Sequence, residues 1–291
     1  MTTVLTLVAP GALSDDQVTA LTRELPDVAA TRRLGDRAVD IEVEASPSAV
    51  RSFAQSGLAD KGLDIAVGTQ ETRRKSVLVC DMDSTIIGQE CLDELADVAG
   101  IGAEIAAITE RAMRGELDFE EALRDRVAQL KGLPAKTIQE VIATRLSLNA
   151  GAETLVKTMR KHGAFTALVS GGFTPFTAAI AKQAGFSAHR GNTLEVDEQG
   201  LLTGNVVPPI LGKEAKRDAL VSFCSEQGVA PSAAVAIGDG ANDLAMIELA
   251  GLGVAYRAKP VVAAAADAAI KHTDLRSVLY FQGYCDSEID A

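Results

Sequence analysis

A short apolar run that ends in two aspartates is the most constraining stretch of this 291-residue chain. Val77 to Thr85 reads VLVCDMDST, so four apolar residues lead directly into two carboxylates and two hydroxyls. The apolar residues predict a short buried strand. Open α/β sheets bind their ligands at the carboxyl ends of such strands, which predicts a functional site at Asp81 and Asp83. Taken alone, the same pattern is also typical of an acidic turn with a hydroxyl helix cap.

Two later apolar runs end in similar polar turns. Phe165 to Val169 leads into Ser170, Gly171 and Gly172, whereas Ala234 to Ile237 leads into the letters GDGAND. The second turn contains Asp239, Asn242 and Asp243, and Lys216 lies between the two runs. A Ser-Gly-Gly turn alone would indicate only a capped turn, but these residue types in this order form a specific combination. From Gly151 to Gly253 predicted helices and strands alternate, as a parallel sheet requires.

The combination resembles the haloacid dehalogenase superfamily of phosphatases with an aspartate nucleophile. The Asp-X-Asp-Ser-Thr motif, with Glu90 nine residues after Asp81, resembles the phosphoserine phosphatases of that superfamily. The resemblance covers roughly residues 75 to 285. It implies a Rossmann-like parallel-sheet core with a helical cap inserted after the first core strand. The implied reaction is hydrolysis of O-phospho-L-serine through an aspartyl-phosphate, the last step of serine biosynthesis.

The resemblance also implies catalytic roles and a cofactor. Asp81 would be the nucleophile, and Asp83 would be the general acid and then the base that activates water. Mg²⁺ would be held by the Asp81 side chain, the Asp83 backbone carbonyl and Asp239. Asp243 would lie beside this metal site, one helical turn after Asp239.

Phosphate binding is implied for a second group of residues. Ser170 and the Gly171 amide would hold phosphate oxygens at a helix start. Lys216 would neutralise the charge of the transferring phosphoryl group, and Lys213 is the alternative residue for this role. Each of the two could instead be an ordinary surface lysine in solvent. Asn242 would contact metal-bound water or substrate.

Residues that select the substrate are expected on the helical insert. Phe119, Leu123 and Arg126 fall on one helix face, at offsets of four and seven. Arg126 is thus either a surface residue whose stem covers apolar neighbours or a carboxylate-binding group. The resemblance assigns Arg126 to the serine carboxylate and Glu90 to the serine ammonium. It assigns Met113 and Phe119 to the apolar wall.

The chain is expected to form a two-domain protein with an inserted cap. Residues 1 to 70 have the order βαββαβ of a ferredoxin-like sandwich and resemble ACT-like domains. This N-terminal domain is interpreted either as a dimerisation or packing module, which would give a homodimer, or as an amino-acid sensor. Residues 76–88 and 150–291 would form the core, and residues 89–149 the helical cap. The linker would lie at Gln70 to Ser76, and its basic triplet Arg73 to Lys75 would be exposed to solvent. Near the C-terminus, the Ala-rich residues 262–269 favour a helix.

Composition narrows the class of partner. The net charge of −12 argues against nucleic acids and anionic membranes, so a small-molecule substrate is expected. No apolar run reaches the roughly 18 residues of a membrane span. The first residues lack the basic start of a signal peptide, which favours a cytoplasmic location. The four cysteines show no Cys-X-X-Cys spacing, so neither a zinc site nor a disulfide framework is predicted.

Two other functions are compatible with these patterns. The first is a phosphatase or phosphotransferase of the same superfamily that acts on another small phosphate, such as phosphohomoserine. The second is an amino-acid-sensing protein whose core is inactive. The intact set of Asp81, Asp83, Lys216, Asp239 and Asp243 argues against the second, because an inactive core has no chemical need for them.

Overall fold

Eleven strands form one continuous sheet in the computed structural model, which describes residues 2–58, 61–114 and 116–290. The strands are β1 (Thr3–Val8), β2 (Val28–Gly35), β3 (Ala38–Val43), β4 (Asp64–Thr69), β5 (Val77–Cys80), β6 (Phe165–Phe173), β7 (Ala188–Val196), β8 (Leu202–Val207), β9 (Ala234–Gly238), β10 (Leu252–Tyr256) and β11 (Ala268–Ile270). Their spatial order is β2-β3-β1-β4-β11-β10-β9-β5-β6-β7-β8.

Helices lie on the faces of this sheet and in the insert after β5. They are α1 (Asp15–Glu24), α2 (Pro47–Gly57), α3 (Cys91–Ala99), α4 (Gly102–Met113), α5 (Phe119–Ala128), α6 (Lys136–Thr144), α7 (Ala152–Lys161), α8 (Thr174–Ala184), α9 (Lys213–Glu226), α10 (Leu244–Leu249), α11 (Pro260–Ala265) and α12 (Ser277–Phe281). Within the described ranges, no helix has both the length and the apolar character needed to cross a bilayer.

The N-terminal part has the element order that the sequence predicts. Antiparallel pairing joins β1 to both β3 and β4, and β2 to β3. Ser14 caps α1 through a capping box with Gln17, and Ser46 caps α2 ahead of Pro47. Leu5, Leu7 and the helices form an apolar cluster of their own. The likeness to ACT domains and the domain bounds stay predictions.

The core sheet is parallel from β11 to β7, with β5 between β6 and β9. All four residues of β5 are buried, as expected for a strand covered on both faces. The carboxyl ends of β5, β6 and β9 therefore meet at one edge of the sheet. The strands β7 and β8 pair antiparallel and so form a hairpin at the end of this sheet.

One segment near the C-terminus differs from its predicted helix. The helix α11 ends at Ala265, and Ala268–Ile270 forms β11, which pairs in parallel with β10. Ala269 also pairs with Ile65 of β4, so β11 joins the N-terminal strands to the core sheet. Local helix propensity is a weak preference, and pairing with two strand edges overrides it here.

The expected exposure of the basic triplet in the linker is wrong for two of its three residues. Arg73 is 7% exposed and Lys75 is 8% exposed. The Arg73 guanidinium donates to both carboxylate oxygens of Asp40, at 2.6 and 2.9 Å, and to the Tyr280 carbonyl. Because the N-terminal strands pack against the core, Arg73 is enclosed between them and supplies hydrogen bonds to both sides.

The insert between β5 and β6 is helical, as predicted. It contains α3 to α6, and Asp118 caps α5 through a capping box with Glu121. Its two connections to the core lie side by side, because Ile87 pairs with Leu148 in an antiparallel bridge. The insert is thereby held next to the sheet edge at which β5 ends.

Candidate active site

Asp81 lies in a buried network of charges immediately after β5. It is 5% exposed, and the Lys216 ammonium on α9 contacts Asp81 Oδ1 at 2.7 Å and Asp243 Oδ1 at 2.6 Å. Burial and Asp243 raise the pKa of Asp81 well above its ordinary value, although Lys216 opposes the shift. Burial lowers the pKa of Lys216, but the two aspartates outweigh it and raise that pKa overall. The structure therefore places the Lys216 ammonium against Asp81, and the side chain of Lys213 lies outside the described part.

A carboxylate cluster suited to a cation lies at this edge of the sheet. Carboxylate oxygens of Asp81, Asp239 and Asp243 approach within 4.8 Å of one another. Asp243 Oδ2 accepts the backbone N–H groups of Asp239 and Gly240, at 3.2 and 3.1 Å. With its other oxygen bound to Lys216, Asp243 is occupied by protein donors, whereas Asp81 and Asp239 have oxygens left for a cation. A hard divalent cation prefers such oxygen ligands, so these residues fit one.

Asp83 faces the same cavity but contacts different groups. Its Oδ1 accepts the Cys91 backbone N–H at 2.8 Å, and its Oδ2 accepts the Ser170 hydroxyl at 2.9 Å. Between the two aspartates and Glu90 the chain bends at Ser84, which has a φ of 54°. This left-handed residue costs backbone energy, and such strain is typical of functional sites.

The Ser-Gly-Gly turn lies opposite Asp83 and is tightly packed. The Ser170 hydroxyl accepts the Gly172 N–H at 2.8 Å, so it bridges Gly172 and Asp83. A Cβ on Gly172 would lie 3.0 Å from Ser170 Oγ and 3.1 Å from Asp83 Oδ2. A side chain at this position would press on both groups, so glycine favours the approach of Asp83 to Ser170.

The helical insert and the sheet edge together line an open cavity of about 350 Å³ above these groups. Its lining includes most of the predicted site residues: Asp81, Asp83, Glu90, Phe119, Leu123, Arg126, Ser170, Gly171, Asp239 and Asn242. Lys216 and Asp243 lie beneath the floor, fully buried. The side chain of Met113, at the end of α4, lies outside the described part.

Two groups of opposite charge, Arg126 and Glu90, line the same cavity as Asp81. Arg126 Nε donates to the Ala122 carbonyl at 3.2 Å, which leaves its two Nη groups available. Burial lowers the pKa of Arg126, although Asp93 and Glu90 oppose the shift. Glu90 accepts the Ser84 hydroxyl at 2.6 Å, and burial together with Asp83 raises its pKa to about 7. The ion pairs of the described residues include neither group.

Comparison with known proteins identifies the family. Residues 78–248 match the family model of the haloacid dehalogenase-like hydrolases. This chain belongs to that family. It is 35% identical to the phosphoserine phosphatase of Saccharomyces cerevisiae, with 98% of this chain and 97% of the yeast protein covered. It is 47% identical to the phosphoserine phosphatase of Polaromonas sp., with 75% of this chain and 95% of that protein covered.

A solved structure shares the whole arrangement. The crystal structure of a HAD family hydrolase from Salmonella enterica serovar Typhi superposes with a TM-score of 0.87 at 28% identity. The superposition covers 97% of this chain and 98% of that one. The N-terminal strands and the hydrolase core are therefore arranged alike in both proteins.

The structure of this haloacid dehalogenase-like hydrolase adds residues to the site that the sequence patterns did not single out. Lys259 lines the cavity, and its backbone N–H donates to the Asp239 carbonyl at 3.3 Å. Lys259 lies shortly after β10, at the carboxyl end of another core strand. That position in the sequence could have identified it as a candidate site residue. Thr85 belongs to the Asp-X-Asp-Ser-Thr motif but had no predicted role, and its hydroxyl donates to Asp239 Oδ1 at 3.3 Å. Cys91, Leu92 and Phe173 also line the cavity.

Proposed function

We propose that this hydrolase is a phosphoserine phosphatase, which converts O-phospho-L-serine and water to L-serine and phosphate, the last step of serine biosynthesis. The observation that carries the proposal is the pair Glu90 and Arg126, opposite in charge and facing one cavity above Asp81. Phosphoserine has an ammonium and a carboxylate beside its phosphate. Burial of these groups without partners would cost several kcal/mol, so a selective site needs one partner for each.

The core residues can divide the hydrolysis into two steps. Asp81 attacks phosphorus, the bond from phosphorus to the serine oxygen breaks, and Asp83 gives its proton to the leaving alkoxide. Asp83 then accepts a proton from water, whose oxygen attacks the aspartyl-phosphate and restores Asp81. The hydrogen bond from Ser170 to Asp83 orients the carboxyl group toward the cavity.

Phosphate binding is assigned to groups around Asp81. Lys216, held by Asp81 and Asp243, offsets the negative charge of the phosphoryl group. Ser170 and the Gly171 amide are hydrogen-bond donors for the phosphate oxygens, and Asn242 lines the same cavity. The Asp81 and Asp239 side chains and the Asp83 backbone carbonyl would hold Mg²⁺, which when bound would supply further positive charge for the phosphate.

Phosphohomoserine is the main alternative substrate, because it carries the same charged groups one methylene farther from phosphorus. Transfer of phosphate to an alcohol would use the same first step. An amino-acid sensor with an inactive core is disfavoured, since Asp81, Asp83 and Lys216 are all present in one constellation.

The test is turnover by the purified chain with Mg²⁺ and with a chelator. We expect phosphate release from L-phosphoserine that needs Mg²⁺, exceeds release from phosphohomoserine, and is abolished in Asp81→Asn, which cannot form the acyl-phosphate. Preferred turnover of phosphohomoserine, or product phosphorylation of an added alcohol, would favour the related activities. No turnover of any small phosphate ester would refute the proposal. The cytoplasmic location and the homodimer stay predictions.

A further inference from the structure

Asn192 is a buried amide side chain at the junction of two strand pairings. It is 1% exposed and lies on β7, where the strand changes partner from β6 to β8. A buried amide needs partners for both its oxygen and its nitrogen. Those partners connect two segments of the active site.

Opposite Asn192 the strand β6 bulges. Val169 pairs with Arg190 and Phe173 pairs with Asn192, so Ser170 to Gly172 have only Gly191 opposite them. Residues in a bulge lose regular ladder partners. The side chain of Asn192 replaces one such missing partner, because its Nδ2 donates to the Gly171 carbonyl at 2.7 Å. This bond restrains a glycine that would otherwise have wide conformational freedom.

The same amide holds the approach to α9. Asn192 Oδ1 accepts the Leu211 N–H at 2.8 Å, and Nδ2 also lies 3.4 Å from the Leu211 carbonyl. Leu211 and Gly212 lead directly into α9, which carries Lys216. One side chain thus joins the bulge that contains Ser170 and Gly171 to the segment that positions Lys216.

The two joined segments also receive the insert. A Cβ on Gly171 would lie 3.2 Å from Phe119 Cζ, and a Cβ on Gly212 would lie 3.6 Å from Phe119 Cδ1. The Phe119 ring therefore rests on both glycines. Through Phe119, α5 therefore contacts both of the segments that Asn192 joins.

We infer that Asn192 is a positioning residue for phosphate binding, and this rests on the proposed phosphatase function. It acts through Gly171 and Leu211 and holds the Gly171 amide and Lys216 at the separation that a phosphate requires. An error of about 1 Å in such a placement can cost about a hundredfold in rate. Asn192→Asp keeps the size but sets a carboxylate oxygen against two carbonyl oxygens.

The test compares Asn192→Asp with the matched control Asn205→Asp, an exposed amide on β8 whose Nδ2 contacts Glu195. Titration calorimetry gives the Kd of inorganic phosphate with Mg²⁺ present, and kinetics give kcat and KM. For Asn192→Asp we expect a Kd at least about tenfold weaker and a kcat/KM about a hundredfold lower. The control should stay within about twofold of the wild type.

A merely structural Asn192 would lower Tm but leave the phosphate Kd and kcat/KM unchanged well below Tm, and that result would overturn the inference. If Asn192→Asp does not fold, Asn192→Ala tests the same point without an added charge. In the wild type, phosphate should slow hydrogen exchange at both the Gly171 and Leu211 amides, and slowing at Gly171 alone would also overturn it. Phosphate affinity needs no turnover, so failure of phosphoserine hydrolysis would refute the proposed function separately.

Discussion

Replacing Arg126 by alanine should remove selectivity for the substrate carboxylate without harm to the phosphate site. The guanidinium has one donor committed to the Ala122 carbonyl, and its two Nη groups can form a forked pair with a carboxylate. Two charge-assisted hydrogen bonds at about 1.5 kcal/mol each sum to about 3 kcal/mol. At about 1.4 kcal/mol per tenfold, kcat/KM for phosphoserine should fall by about 150-fold.

The assay uses two substrates and one control variant. Phosphoethanolamine lacks the carboxylate, so the wild type should hydrolyse it poorly and Arg126→Ala should change its kcat/KM by less than about threefold. Arg124→Ala on the same helix removes an exposed arginine that contacts Glu120 at 3.6 Å, and it should change neither value by more than about twofold. An equal loss for both substrates in Arg126→Ala would show that Arg126 faces the phosphate or only supports the helix.

Two further changes test the acid and the junction between the N-terminal strands and the core. Asp83→Asn should retain its affinity for phosphate but lose about 10²- to 10⁴-fold in kcat. In single-turnover experiments, the rate at which an aryl phosphate phosphorylates the enzyme should fall less than the rate with phosphoserine, because the aryl leaving group needs no proton. Equal losses for the two substrates would refute the acid role. Asp40→Asn, which leaves Arg73 buried without its carboxylate, should cost about 3 kcal/mol in urea unfolding. The exposed pair of Asp15 with Arg33 is the control, and Asp15→Asn should cost under about 1 kcal/mol; equal costs would refute the reasoning.

The edge of the core sheet that carries the candidate site could be predicted because its sequence signals are local. An apolar run followed by Asp81 and Asp83 determines both the strand and the edge at which its carboxylates lie. The choice between Lys213 and Lys216 could not be made in this way, because both lie in the first turn of α9. Only the structure shows the Lys216 ammonium between Asp81 and Asp243.

The sequence patterns did not predict features that depend on residues distant along the chain. Arg73 is buried because Asp40, which precedes it by 33 residues, lies across the junction with the core. Ala268–Ile270 has helix-favouring residues but completes a sheet between β10 and β4. The contacts of Asn192 depend on a bulge in β6. Such a bulge could not be predicted, because the sequence of one strand alone does not determine its pairing register with another.

Trapping of the phosphoenzyme tests the central claim, phosphoserine hydrolysis through Asp81, most directly. Acid quenching of the wild type during turnover of L-phosphoserine with Mg²⁺ should trap part of the chain as the aspartyl-phosphate. The Asp83→Asn variant, supplied with an aryl phosphate whose leaving group needs no acid, should accumulate the same intermediate because the proposed base for water is missing. Mass spectrometry of each digested chain should find one phosphoryl group on the peptide that contains Asp81, at residue 81. Phosphate release without a labelled peptide, or a phosphoryl group on Ser84 or Ser170 instead, would contradict the account.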